Sequence, residues 1–191
     1  MLEKYRLLKE SGLVVFNRRV LASILHVSYA STNPILFRLV AKGVLLHLRR
    51  DCYVLSDCAG ETRKIANELV KPSYISLWTA LSDAGVTTQV PRVVQSATMR
   101  RSCTIERRGL PAFQYVHLPE KLFFGFALDA EGIFRAEPEK ALLDVLYVQR
   151  GKMDADSLRR GAFQRGTLEE YLRAFPGWVG EALIAFFPPS S

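Results

Sequence analysis

Paired cysteines, phosphate-cradling glycine loops and long apolar runs are all missing from this chain. Its three cysteines, Cys52, Cys58 and Cys103, form no CxxC pair and do not cluster with His26, His47 or His117. A structural zinc site needs about four ligands at characteristic spacings, so no metal is expected and the thiols read as reduced and partly buried. The longest strongly apolar run, Leu122 to Leu128, is broken by Gly125 and is far too short to cross a bilayer. The opening Met1-Leu2-Glu3-Lys4-Tyr5-Arg6 lacks the basic-then-apolar layout of a secretory signal. The expected compartment is therefore the cytoplasm, with no membrane partner.

Catalytic signatures are equally scarce. There is no GxGxxG or GxxxxGK[ST] cradle, no HExxH and no GxSxG elbow, so neither a cofactor nor a catalytic residue is expected. Metal-dependent nucleases often use an acidic residue followed by an acid-x-Lys triplet, and the acidic stretch from Asp129 to Lys140 is the place where one could lie. Pro138 occupies the position two before Lys140, so the triplet fails. Glu137, Glu139 and Asp144 are the carboxylates a nuclease would have to use, but helix-start electrostatics accounts for Glu137 and Glu139 more simply.

What the chain does have is an uneven distribution of positive charge. Of 191 residues, 49% are hydrophobic and 24% charged, an ordinary globular balance, with a net charge of +7. Residues 1–58 hold nine Lys/Arg against four Asp/Glu, and residues 59–110 hold eight against four. Residues 111–191 reverse the sign, with nine against eleven. The excess positive charge thus sits in the first 110 residues, as expected for a polyanion partner at that end.

The first sixty residues alternate between helical and extended patterns. Leu2 to Glu10 has apolar residues near helical spacing, with Gly12 as a stop. Val14 to Phe16 is extended. Arg18 to Leu25 returns to the helical period. His26 to Pro34 is polar and turn-rich, and Ile35, Leu36, Leu39 and Val40 resume a helix that Lys42-Gly43 closes. Val44 to Leu48 and Cys52 to Leu55 are β-prone and flank the polar turn Arg49-Arg50-Asp51. Helix, helix, turn, helix and a hairpin with a basic tip is the order of a winged helix-turn-helix, assigned to residues 1–58.

A second, α+β domain is assigned to 61–191. Thr62 to Val70 reads as a linker helix and Ser73 to Ala84 as another, with Tyr74, Leu77, Trp78 and Leu81 on one face. Five β-prone runs follow: 92–98, 103–106, 113–118, 123–128 and 133–136. They predict a small, mostly antiparallel sheet. Pro138 is placed to start a helix through Val148, and further helices are expected at 155–160 and 168–175, with fraying from Phe186 to Ser191. The fold class is α+β.

In a winged helix-turn-helix the second helix of the motif enters the major groove. The residues in position to contact DNA are Ser28, Tyr29, Ser31, Thr32, Asn33 and Arg38. Asn reads adenine and Arg reads guanine or phosphate. Arg18, Arg19 and Lys42 are natural phosphate contacts, and Arg49 and Arg50 at the wing tip would lie over the backbone or minor groove. The bland alternative makes Ser28 and Ser31 helix caps and the arginines a solvated face. Pro34 suits the motif if Asn33 caps the helix, and would bend a helix that began at Ser28. A one-component regulator, with an effector pocket lined by Trp78 and Phe123 to Phe126, is the rival reading. A DNA-targeted metal-dependent nuclease is a second.

Several strings carry a family resemblance: Leu48-Arg49-Arg50-Asp51-Cys52-Tyr53-Val54; Ile65-Ala66 through Pro72-Ser73-Tyr74-Ile75-Ser76-Leu77-Trp78-Thr79-Ala80-Leu81; Thr88-Gln89-Val90-Pro91; Phe123-Phe124-Gly125-Phe126; and Ala136-Glu137-Pro138-Glu139-Lys140-Ala141-Leu142-Leu143-Asp144. Over residues 5–150 the chain resembles the AbiEi family of antitoxins, the regulators of type IV toxin–antitoxin and abortive phage-infection systems. The resemblance implies a repressor of its own promoter repeats, a possible homodimer on DNA, whose C-terminal domain counters a nucleotidyltransferase-like toxin. It leaves open whether the two form a stable complex, and it carries over no catalytic residues.

Overall fold

The computed structural model describes residues 2–153 and 157–186. Two β-sheets organise them within an α+β architecture. The N-terminal part runs α1 (Leu2–Glu10), β1 (Val15–Phe16), α2 (Arg18–Ile24), α3 (Thr32–Ala41), β2 (Leu45–Arg49) and β3 (Cys52–Leu55). Its antiparallel sheet has the order β1-β3-β2. Leu8, Phe16, Leu21, Leu36, Leu39, Leu45 and Leu55 fill the space between helices and sheet. The helical spacing of these leucines is what commits α2 and α3 to one buried stripe each.

Beyond Gly60 come α4 (Thr62–Leu69), β4 (Ser73–Ile75), α5 (Leu77–Asp83), β5 (Val93–Thr98), β6 (Cys103–Ile105) and β7 (Ala112–His117). They are followed by β8 (Phe126–Leu128), β9 (Phe134–Ala136), α6 (Pro138–Val148), α7 (Arg165–Leu172) and α8 (Gly177–Phe186). The second sheet has the order β6-β7-β5-β4-β9-β8. The sequence predicts a small, mostly antiparallel sheet here, and the structure corrects this. The sheet is the larger of the two and mixed, because β5 pairs with β7, and β4 with β9, in parallel.

Three element assignments are corrected with it. Ser73 to Ala84 is not one helix: Ser73–Ile75 forms β4, and α5 starts only at Leu77. Tyr74 and Leu77 share a helical spacing, but Tyr74 and Ile75 are buried between β5 and β9, and Leu77 turns the corner with φ of 55°. The run from Phe123 is also shortened to Phe126–Leu128, since Gly125 adopts φ of 67° just before it. The helix expected at 155–160 is corrected where it is described: 157–160 form no α-helix, and Leu158 instead makes an antiparallel bridge with Thr87. Residues 155–156 lie outside the described residues, as do 187–191 of the stretch expected to fray; Phe186 ends α8.

The two sheets share apolar packing. Val14, Leu48, Cys52 and Val54 of the N-terminal elements belong to the same buried cluster as Ile65, Tyr115 and Leu142. At the centre of that cluster lies a charged pair. Lys140 Nζ bonds Asp144 and also donates to Tyr74 Oη at 2.9 Å, while Asp144 accepts from Ser76 Oγ at 2.7 Å and Tyr74 Oη at 3.0 Å. Both charged side chains are wholly enclosed. Burial pushes the Lys140 ammonium pKa down and the Asp144 carboxyl up, and their mutual attraction opposes both shifts. No described helix is long and apolar enough to cross a membrane.

Candidate nucleic-acid interface

The turn between α2 and α3 is built from side-chain hydroxyls. Asn17 caps α2 by accepting from Val20 N at 2.9 Å, and His26, with φ of 50°, takes the chain out of that helix. Ser31 N donates to Ser28 O at 3.0 Å and Thr32 N to Tyr29 O at 3.3 Å. The Ser28 and Ser31 hydroxyls lie 2.7 Å apart, and both residues are exposed. Thr32 corrects the sequence reading. It is 1% exposed and its hydroxyl donates to Tyr29 O at 2.6 Å, so it shapes the turn and has no surface to offer a base.

α3 starts at Thr32, which makes Pro34 its third residue. A backbone N–H in the first turn has no intrahelical acceptor, so proline forfeits no helical bond there. Ile35, Leu36 and Leu39 face inward. Two rows of residues four apart face out: Asn33, Phe37 and Ala41, and beside them Pro34, Arg38 and Lys42. No acidic residue lies between Ser11 and Arg50.

Arg18 stands at the start of this face. The Arg18 guanidinium stacks 4.0 Å from the centre of the Tyr29 ring, donates to Tyr29 O at 3.3 Å and approaches Thr32 Oγ1 at 3.4 Å. It is thereby held against the start of α3. The Arg18 backbone N–H donates to Asp51 Oδ1 at 2.8 Å, tying the start of α2 to the β2–β3 turn. Arg19, Arg38 and Lys42 are exposed; Arg38 folds back toward Pro34 O at 3.1 Å.

The paired arginines of the hairpin have separate places. Arg49 donates to Leu69 O at the end of α4, which fastens the hairpin to the second sheet's side of the molecule. Arg50 is exposed and has no side-chain partner among the described residues. Sequence reasoning put both at a free tip; the carbonyl that claims Arg49 lies twenty residues further on. Phe37 was missed altogether. It is 77% exposed in the middle of α3, and its helical offset from Ile35, Leu36 and Leu39 was the signal that placed it outward.

The other candidate residues are distributed differently. Glu137 Oε2 accepts from Tyr171 Oη at 2.8 Å, and Glu139 Oε1 from Gln164 N at 2.7 Å. With Asp144 enclosed beside Lys140, the three carboxylates do not converge, and no group of three or more His, Cys, Asp or Glu suited to a metal occurs among the described residues. A concavity of about 510 Å³ is lined by Asn67, Lys71, Pro72, Phe123, Phe126 and Phe134. Trp78, expected in such a pocket, does not line it. Phe124 instead packs against Tyr171 and Phe175.

The fold class is the firm outcome of comparison with known proteins. No family model matches the chain, and no curated protein does. Among solved structures, the RV2827C protein from Mycobacterium tuberculosis is similar over 95% of this chain and 74% of its own, with a TM-score of 0.64 at 14% identity. At that identity the likeness concerns the fold alone.

Proposed function

We propose that this protein is a DNA-binding transcription regulator whose residues 1–58 act as a winged helix-turn-helix. α3 serves as the recognition helix and the β2–β3 hairpin as the wing. One observation carries the reading: the exposed face of α3 is free of acidic residues, presents Arg38 and Lys42, and has the Arg18 guanidinium held against its start. A face of that charge suits a phosphate backbone, and the Asn33–Phe37–Ala41 row has the width of a single helix, which the major groove admits.

Asn33, Ser28, Ser31 and Tyr29 would stand nearest the bases, and the cations would fix register on phosphates. Arg49 acts in this reading as the anchor of the wing and Arg50 as its contact. The AbiEi-like strings extend the proposal to a cytoplasmic antitoxin that represses its own promoter, as a homodimer on paired half-sites, and counters a nucleotidyltransferase-like toxin through residues 61–191. No step in this function calls for a catalytic residue, metal or cofactor.

A gel-shift titration of the protein on its own upstream DNA, against a scrambled duplex of equal length, tests the reading. Preference for the upstream fragment by at least tenfold is expected. Equal binding to both would remove the regulator role.

A second reading has its own support. The concavity bounded by Phe123, Phe126 and Phe134 has the size and apolar character of a small-molecule site, and its floor is α4, whose last carbonyl holds Arg49. An effector lodged there would sit one element away from the wing.

A further inference from the structure

Phe37 is an expensive residue to leave in water. Burial favours a phenylalanine side chain over exposure, yet the inward stripe of α3 takes Ile35, Leu36 and Leu39 instead. Single exposed apolar residues are common on protein surfaces. The position of this one is not arbitrary. It occupies the middle of the row Asn33, Phe37, Ala41, with Arg38 and Lys42 on the adjoining row and no carboxylate on the helix. This face therefore exposes an aromatic ring in line with the Asn33 amide and the Ala41 methyl group, beside Pro34.

We propose that Phe37 reads the 5-methyl group of thymine in the major groove, and that this apolar contact is the principal specificity determinant of α3. The inference rests on the DNA-binding reading given above and sharpens it to one atom of one base. Thymine differs from cytosine on its major-groove edge in carrying both a methyl group and an acceptor in place of a donor. A phenyl ring has no hydrogen bond to offer and discriminates only through the methyl. The aliphatic companions Pro34 and Ala41 widen the apolar strip, while Asn33, one turn toward the N-terminus, can bond the adenine of a neighbouring pair. The expected site is thus a short A·T-containing element in each half-site. Phosphate contacts from Arg38 and Lys42 contribute affinity without sequence.

The probe is the tightest duplex that the full-length protein recovers from a random-sequence library, compared with the same duplex in which single thymines are replaced by uracil. Uracil removes only the methyl group. For the wild-type protein one or two such replacements per half-site are expected to weaken binding about fourfold each, the worth of one apolar carbon. Phe37→Ala is expected to bind the thymine and uracil duplexes equally, and Phe37→Leu to keep part of the preference. Because the side chain is 77% exposed, both variants should unfold at the wild-type midpoint.

Four results would overturn the proposal. They are a recovered site without thymine, wild-type indifference to uracil, and a thymine preference that survives in Phe37→Ala. The fourth is sedimentation showing that Phe37→Ala dissociates a dimer while leaving base preference unchanged, which would make the ring a contact with a second copy. Failure to recover any preferred duplex would instead sink the DNA-binding reading itself, and the proposal with it.

Discussion

Lys140 is wholly enclosed, so its charge depends on four neighbours. Asp144, Tyr74 and the rings of Phe124 and Phe175 surround its ammonium group. Removing one partner of an enclosed pair strands the other charge, at a cost of about 3–5 kcal/mol. Lys140→Met should therefore lower the unfolding free energy by that amount in urea titrations, and Lys140→Met/Asp144→Leu should recover most of it. A double variant as unstable as the single one would assign the pair a role other than mutual neutralisation. Gly125 is bound to the same lysine by space: with φ of 67°, an added Cβ would meet Lys140 Cγ at 3.0 Å. Gly125→Ala should cost about 1–3 kcal/mol from the left-handed backbone and that contact together. At the opposite end, Thr32→Val keeps the volume and deletes the hydroxyl that donates to Tyr29 O. A loss of about 1 kcal/mol is expected, with DNA affinity reduced only as far as the turn loosens.

The two arginines of the β2–β3 turn separate a structural role from a binding one. Arg50→Ala should leave the melting temperature unchanged, weaken DNA binding and make the slope of log K against log salt shallower by about one. Arg49→Ala should lower stability by about 1 kcal/mol through its lost bond to Leu69 O. Equal effects of the two on the salt slope would place both on phosphates. The contrast also marks how far sequence could see. The positions of α1, α2, α3 and the hairpin were legible because each has its own period, short-range turn chemistry and stop. Arg49's acceptor was not, since it depends on where α4 ends and how the hairpin leans on it. β4 was hidden for a similar reason. Tyr74, Leu77, Trp78 and Leu81 satisfy a helical spacing, and only the partners β5 and β9, the latter some sixty residues away, make the first three residues a strand. The outward position of Phe37 is legible from its offset against Ile35, Leu36 and Leu39, but spacing alone does not say what an exposed ring meets.

At the scale of the molecule, charge and packing divide the labour. Positive charge concentrates in the first 110 residues, while the last 81 carry more acids than bases. Yet the two sheets share one buried cluster through Val14, Leu48, Cys52 and Val54. The β2–β3 hairpin thus packs against the larger sheet, and Arg49 ties it to the end of α4, the helix that supplies Asn67 to the Phe123–Phe126–Phe134 concavity. The antitoxin proposal is separable from DNA binding. Full-length Arg38→Ala/Arg50→Ala, co-produced with a nucleotidyltransferase-like toxin that the wild-type protein neutralises, should neutralise as well as wild type while failing to repress. Loss of both activities together would tie neutralisation to the DNA face.

DNA binding by the α3 face and the β2–β3 turn would register in a salt series. Anisotropy of a labelled upstream duplex should show tight, sequence-selective binding by the wild-type protein. Arg38→Ala/Arg50→Ala should bind more weakly, with a salt slope shallower by about two, one for each lost phosphate contact. A wild-type protein that does not prefer its upstream duplex over random DNA, or a double variant with an unchanged slope, would contradict the account.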